Sequence, residues 1–244
     1  MKIQQFSDVL AQNTYPGRGI CLGLDETGEY AVIVYFIMGR SVNSRNRIFK
    51  ETDEGIITKA YDESLMTDPH LIIYAPVRAL PEGEVTVVTN GDQTDTIYDF
   101  LRQGKTFEDA LRTRTFEDDR PNWTPRISGL VRVADGKAAF KLSILKSDDG
   151  DENSVLRYFY DYDQPKAGQG RFIHTYQGDG NPIPSFEGEP EKVTLHGDIE
   201  QLALDTWMKL NEDNKVSLYV SFISLKDGSS DTIIINKHDQ EEEA

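Results

Sequence analysis

The residues from Met38 to Lys50 include Arg40, Arg45, Arg47 and Lys50 and no carboxylate, in a chain whose formal net charge is -16. A guanidinium presents a planar fork of donors that matches phosphate or carboxylate oxygens. Ser41, Asn43, Ser44 and Asn46 add short polar groups between the cations. This segment reads as an anion-binding loop for a phosphate on a small substrate. The competing structural reading is an exposed edge whose arginines pair with acidic neighbours to little energetic effect. Two further stretches carry chemistry. Glu117, Asp118 and Asp119 follow Phe116 and precede Thr124-Pro125-Arg126. Carboxylates on such a loop serve as general bases, or are simply solvated. Tyr74 lies in an apolar run, where a tyrosine is usually core with its hydroxyl bonded at one end.

The elements that must position these groups follow from pattern. Ala31 to Met38 is almost continuously apolar, as a central strand covered on both faces should be. It is preceded by a strand from Gly19 to Leu24 across the hairpin signal Asp25–Gly28. That pairing brings Arg18 and Arg40 out at the same end of a sheet. His70 to Arg78 and Val85 to Thr89 read as strands, and Glu51 to Asp68 as charged and turn-rich. A strand running into Asn90-Gly91 hands over to a helix through Arg102, with Asp92 at its N-cap. Free N–H groups at such a turn favour anions or polar ligand atoms, and place Asn90, Thr94 and Asp95 at its mouth. A second helix opens at Thr106 with Asp109 at the capping-box position. Asp198 to Leu210 has an amphipathic stripe. The tail is acidic from about residue 238 and reads as frayed from Gln240. Many strands with a few helical segments suggest two stacked sheets with helices outside, in one domain spanning 1–244.

Composition narrows the function. The chain is 38% hydrophobic and 10% aromatic, enough to bury a core. Its acidity argues against nucleic acid and anionic membranes as partners. No apolar run approaches the ~20 residues that span a bilayer, and no apolar signal core opens the chain, so a reducing cytoplasm is the simplest location. Cys21 is the single cysteine, and the four histidines are scattered, which leaves neither a disulfide nor a Cys/His metal cluster.

Several segments together resemble one family. Tyr15-Pro16-Gly17-Arg18, Gly39-Arg40-Ser41-Val42-Asn43-Ser44-Arg45, Tyr74 with Arg78, the run Val88 to Ile97, Thr124-Pro125-Arg126-Ile127 and His174-Thr175-Tyr176-Gln177 occur in the order seen in archaeal-type IMP cyclohydrolases. The resemblance covers about Tyr15 to Gln177. It implies an α+β, four-layer αββα fold like that of N-terminal-nucleophile hydrolases, without their self-processed nucleophile. It implies dehydrative closure of 5-formamidoimidazole-4-carboxamide ribonucleotide to IMP, a purine nucleotide precursor as ligand, and no metal or organic cofactor. It also allows self-association into a homo-oligomer. By that resemblance Arg45, Tyr74 and Glu117 are the catalytic positions, with Asp118 or Asp119 as alternatives to Glu117. Arg40, Ser41, Asn90, Thr94, Asp95 and Arg126 match motif positions around the pocket, and Arg18 or Arg40 is left to bind the 5′-phosphate. The chain departs from the pattern in showing Asn-Ser-Arg where the archaeal enzymes show Pro-Asn-Arg. Two other readings stand beside it: an amidohydrolase with an N-terminal nucleophile, which needs Cys21 freed at a mature N-terminus, and a non-catalytic purine-nucleotide binder.

Overall fold

The computed structural model describes residues 3–67 and 73–241. It is an α+β structure with two seven-stranded sheets. The first sheet contains β1 (Gln4–Gln5), β2 (Arg18–Leu24), β3 (Tyr30–Met38), β11 (Gln169–His174), β12 (Glu191–Thr194), β13 (Lys215–Ser224) and β14 (Ser230–Asn236), in the order β1-β12-β11-β2-β3-β13-β14. The second contains β4 (Ile48–Thr52), β5 (Gly55–Lys59), β6 (Val77–Ala79), β7 (Val85–Thr89), β8 (Arg126–Ala134), β9 (Lys137–Asp148) and β10 (Asp151–Tyr162), and runs from β10 down to β4. Every strand pairing is antiparallel except the short β1–β12 contact.

Strand β3 explains how the layers form. It lies between β2 and β13, and Ala31 to Met38 are all buried. Alternation sends Ile33, Tyr35 and Ile37 into a cluster shared with Phe49, Val88, Ile127 and Ile144 of the second sheet. Val32, Val34 and Phe36 join a different cluster with helix Phe6–Gln12 and helix Ile199–Lys209, through Leu10, Leu202 and Trp207. A third cluster packs Val87, Leu130 and Leu145 against helices Gln93–Arg102 and Phe107–Arg112. Fully burying one such aliphatic side chain contributes ~1.5–3 kcal/mol, so a strand buried on both faces anchors two clusters at once.

The β2–β3 register pairs Arg18 with Ile37. Arg18 therefore leaves the first sheet at the end where β3 runs into Gly39 and Arg40, as the hairpin reading requires. The helix from Thr106 has its capping box in place, with Thr106 Oγ1 accepting from the Asp109 amide at 3.0 Å. Asp198 caps the helix that follows it.

Four expectations need correction. The run from His70 to Arg78 is strand only from Val77, and His70 to Ile72 lie outside the described residues. Thr58 meets Tyr74 with side chain as well as backbone: its hydroxyl donates to the Tyr74 carbonyl at 2.9 Å and accepts from the Tyr74 amide at 3.0 Å, and its own amide donates to the same carbonyl at 2.9 Å. The first half of the stretch from Glu51 to Asp68 is instead the end of the β4–β5 hairpin, in which Ile56 and Thr58 turn inward, while residues 60–67 are turns with a short 3-10 helix at Glu63–Leu65. Asp92 makes no capping bond, because its carboxylate pairs with Arg114 and Arg126 instead. Residues Lys237–Glu241 of the acidic tail form a helical turn. Among the described residues no helix is long and apolar enough to cross a membrane.

Candidate active site

A cavity of about 280 Å³ opens where the ends of β2 and β3 meet the loop leading into β8. Its cationic wall is Arg18, Arg40 and Arg47, and its acidic wall is Glu117 and Asp119. A hollow of about 390 Å³ beside Phe140, Tyr162 and Arg171 holds none of the motif residues.

The cationic wall is built from two turns. Tyr15 and Tyr176 stack at 5.9 Å beneath the first. Gly17 has φ +76°, and a Cβ there would lie 2.4 Å from Thr175 Oγ1 and 2.5 Å from the Tyr176 ring. Only glycine fits both the backbone and the space. Arg18 follows, with its Nε buried and without a hydrogen-bond partner. The second turn starts at Ser41, whose hydroxyl accepts from the Ser44 amide at 3.1 Å and caps the four-residue helix Val42–Arg45. The chain then bends sharply at Asn46 (φ -77°, ψ 55°), an inverse γ-turn in which the Arg47 amide donates to the Arg45 carbonyl at 2.9 Å. The Asn46 side chain locks the bend by exchanging two 2.7 Å bonds with the Asp62 backbone. Arg47 enters the cavity wall 1% exposed. Its Nε donates to the Ser44 carbonyl at 2.9 Å, and its Nη2 is buried without a partner.

Two cations thus face one cavity, each with an unused buried donor. Burial first, and then the neighbouring Arg18 charge, hold the Arg47 pKa below its ordinary value. Burial also opposes the charge on Arg18, but the phenols of Tyr15, Tyr74 and Tyr176 and the Glu117 carboxylate outweigh it and raise the pKa. An anion between the two guanidinium groups would relieve both the desolvation and the mutual repulsion. Arg40 stands at the mouth, 5.1 Å from the Tyr15 ring centre, paired with Asp179 and donating to the Gly180 carbonyl at 2.9 Å.

The three consecutive carboxylates of this loop have separate roles. Asp119 closes its own loop by accepting from the Thr124 amide at 2.6 Å and from the Thr124 hydroxyl. Asp118 is exposed. Glu117 lines the cavity, its loop pinned by the bond from its amide to the Thr124 carbonyl (2.9 Å) and by the edge packing of Phe116 on Trp123. Burial pushes the Glu117 carboxyl up against the opposing pull of Arg126 and Arg18, and Asp119 and Asp92 add to the rise. Arg126 Nη1 stands 3.7 Å from Glu117. Gly91 leaves room for this group, since a Cβ there would fall 2.5 Å from Arg126 Nη1 and 3.1 Å from Glu117 Oε1.

This arrangement can hold an oxyanion on one side and accept a proton on the other. A family model described as IMP cyclohydrolase-like protein matches residues 15–228. The chain is 31% identical over 186 residues to an IMP cyclohydrolase of Methanopyrus kandleri, covering 71% of this chain and 89% of that one. It is 33% identical over 124 residues to an IMP cyclohydrolase of Methanosphaera stadtmanae, covering 49% of this chain and 58% of the relative. An IMP cyclohydrolase of Methanococcus maripaludis is 36% identical over 121 residues, 47% of this chain and 56% of the relative. The chain belongs to the IMP cyclohydrolase-like family.

Of the positions carried over from the IMP cyclohydrolases by resemblance, the fold brings Arg18, Arg40, Ser41 and Glu117 to the cavity. Tyr74 is buried beside it. Its hydroxyl is 3.0 Å from that of Tyr35, within electrostatic reach of Arg18 and Arg47. Arg126 is not on the cavity wall but sits 3.7 Å from Glu117, donating to Gln93 at 2.7 Å. Arg45 is turned out of the cavity: its Nε donates to the Gly39 carbonyl at 2.9 Å and its Nη2 to Asn214 at 3.1 Å. The γ-turn at Asn46 reverses the chain, so Arg47 faces inward and Arg45 outward. Asn90, Thr94 and Asp95 are spent elsewhere. Asn90 bonds Pro125, Ile127 and Gln93, Thr94 bonds Thr89 and Gly91, and Asp95 pairs with Arg78. Arg47, although part of the cationic segment, and Tyr176, although part of the His174–Gln177 motif, are not assigned to the site by sequence, and Asn122 is not singled out there; all three are on the cavity wall. The available signal was the Ser41/Ser44 capping pair, which fixes a helical turn through Arg45 and carries the next arginine to a new direction. Cys21 is fully buried in β2, where burial pushes its thiol pKa up, away from reactive thiolate.

Proposed function

We propose that this cavity closes the second ring of the purine, converting 5-formamidoimidazole-4-carboxamide ribonucleotide to IMP and water. The carboxamide nitrogen attacks the formyl carbon. A C–N bond forms, the formyl oxygen takes up the electron pair, and the nitrogen gives up a proton. That oxyanion is protonated to a hydroxyl, which leaves as water as the former formamido nitrogen gives up its own proton and forms the C=N bond of the aromatic ring. Arg47 and Arg18 supply donors to the developing oxyanion, with the Tyr74 phenol behind them. Glu117 accepts the carboxamide proton, and its raised pKa suits it to return that proton to the departing hydroxyl. Arg40, at the mouth, takes the 5′-phosphate. Holding the two reacting groups in contact contributes the rest of the acceleration.

The observation that carries this reading is that Arg18 and Arg47, each with a buried, unpartnered guanidinium nitrogen, line one cavity with Glu117, in a chain of this family. The arrangement of the clusters supports a single domain with the four-layer αββα sandwich of N-terminal-nucleophile hydrolases, here without an exposed nucleophile. Incubating purified protein with the formylated precursor and following IMP by absorbance and mass tests the proposal. Turnover abolished by Arg47→Ala and Glu117→Gln supports it. Nucleotide binding without turnover would instead assign the cavity to a non-catalytic binder.

A further inference from the structure

The family match ends at residue 228, yet the segment after it reaches back to the arginine turn. Two of its side chains grip the backbone on either side of Arg47. His238 Nε2 lies 3.0 Å from the Arg45 carbonyl, the same oxygen that accepts the Arg47 amide in the γ-turn. A carbonyl only accepts, so the His238 Nε2 carries the proton. The imidazole is held in that orientation by stacking on Tyr61, with centroids 4.1 Å apart and planes 6° from parallel. On the other side, Asn236 is 4% exposed and pairs with both polar groups of the Phe49 backbone. Its Oδ1 accepts from the Phe49 amide at 2.8 Å and its Nδ2 donates to the Phe49 carbonyl at 3.2 Å. Ser217 donates to the same Oδ1 at 2.8 Å, and Asp239 accepts from Nδ2 at 2.9 Å, which fix the amide's orientation. Strands β14 and β4 lie at edges of the two separate sheets. Asn236 therefore ties one sheet to the other two residues past Arg47.

We propose that His238 and Asn236 are positioning residues that keep the Arg47 guanidinium in the cavity. A buried guanidinium with an unsatisfied nitrogen, beside a second cation, is driven toward solvent. The γ-turn bond and the Asn46–Asp62 bonds fix the bend itself, but not the Arg45 carbonyl from outside or the chain beyond Arg47. Bracing the carbonyl at Arg45 and the peptide groups at Phe49 leaves the intervening arginine no route outward. The inference rests on the cavity being the IMP-forming site.

The test compares His238→Ala, His238→Gln and Asn236→Ala with the unchanged protein. Four quantities are read: kcat and KM for IMP formation, the melting temperature, and hydrogen exchange of the 45–49 amides. Displacement of about 1 Å at a catalytic group costs up to ~100-fold in rate, so His238→Ala lowers kcat by roughly tenfold to a hundredfold. The half-exposed His238 site keeps the fold, so the melting temperature moves little. Glutamine, whose Nε2–H reaches the same carbonyl, restores most of the rate. Exchange at the Arg47 amide speeds up in His238→Ala, and at the Phe49 amide in Asn236→Ala. Unchanged kcat in both alanine variants, or equal losses in His238→Ala and His238→Gln, would overturn the inference. If the unchanged protein makes no IMP, the catalytic reading fails by itself. Exchange then still decides the clamp, and unaltered protection at Arg47 and Phe49 would end it.

Discussion

Two turns in this molecule look alike in outline and behave as opposites. One runs from β3 through Gly39 to Arg47, and the other from β7 through Asn90 to Asp95. Both leave a strand end for a short helix, and both are rich in small polar side chains. At the second turn each polar group is used locally. Asn90 bonds three neighbours, Thr94 shares its hydroxyl with Thr89, and Asp95 pairs with Arg78. At the first, Arg47 is buried with a donor left over, as is Arg18 across from it. Buried polar groups are normally satisfied. A pair left unsatisfied on one cavity wall supports the proposal that a ligand binds there, with the satisfied turn as scaffold.

Variants at the two turns break or sharpen this contrast. The largest effect falls on the acidic wall that faces the first turn. Glu117→Gln lowers kcat by ~10²–10⁴-fold, the usual share of a general base. The rate of the unchanged protein falls as pH drops through the Glu117 pKa, which burial raises from its ordinary value, and the glutamine variant lacks that limb. The linked stability has a definite sign. A carboxyl whose folded pKa is raised contributes stability that is complete below the unfolded pKa and lost as pH rises through the folded one. Glu117→Gln therefore melts higher than the unchanged protein at neutral pH, and a lower melting point there would contradict the burial of this charge.

Next comes Arg47→Ala, expected to lower kcat/KM by ~10²–10³-fold as a lost oxyanion donor does. Its urea midpoint rises or holds, because an unpaired buried charge has been removed. Asn90→Ala inverts that pattern. It loses ~1–3 kcal/mol of stability by leaving buried partners unsatisfied, while the folded fraction turns over at the parent rate. Smallest is Arg45→Ala, a solvent-side change that leaves kcat/KM within about threefold. Equal losses for Arg45→Ala and Arg47→Ala would erase the distinction between the inward and outward faces of the turn.

Much of this scaffold is legible in sequence because local signals agree with the fold. The unbroken apolar run of β3, the Asp25–Gly28 hairpin, the Thr106 capping box and the amphipathic stripe after Asp198 each have one physical solution. The arginine cluster in a carboxylate-free segment likewise locates the cavity. Which arginine enters is not legible by spacing, because one dihedral pair at Asn46, locked by Asp62, decides it. Nor is the β4–β5 hairpin, whose Lys50 to Thr52 face solvent at a sheet edge and read as loop. Nor is the contact of Tyr74 with Thr58, sixteen residues upstream, whose amide and hydroxyl both bond its backbone.

A crystal structure of the protein with IMP bound tests the central claim most directly. The account predicts a nucleotide oxygen within hydrogen-bonding distance of both Arg18 Nε and Arg47 Nη2, with Glu117 facing the closed ring and the phosphate at Arg40. A nucleotide seated at the Asn90–Asp95 helix mouth or against Arg45, with those two nitrogens still unpartnered, would contradict it.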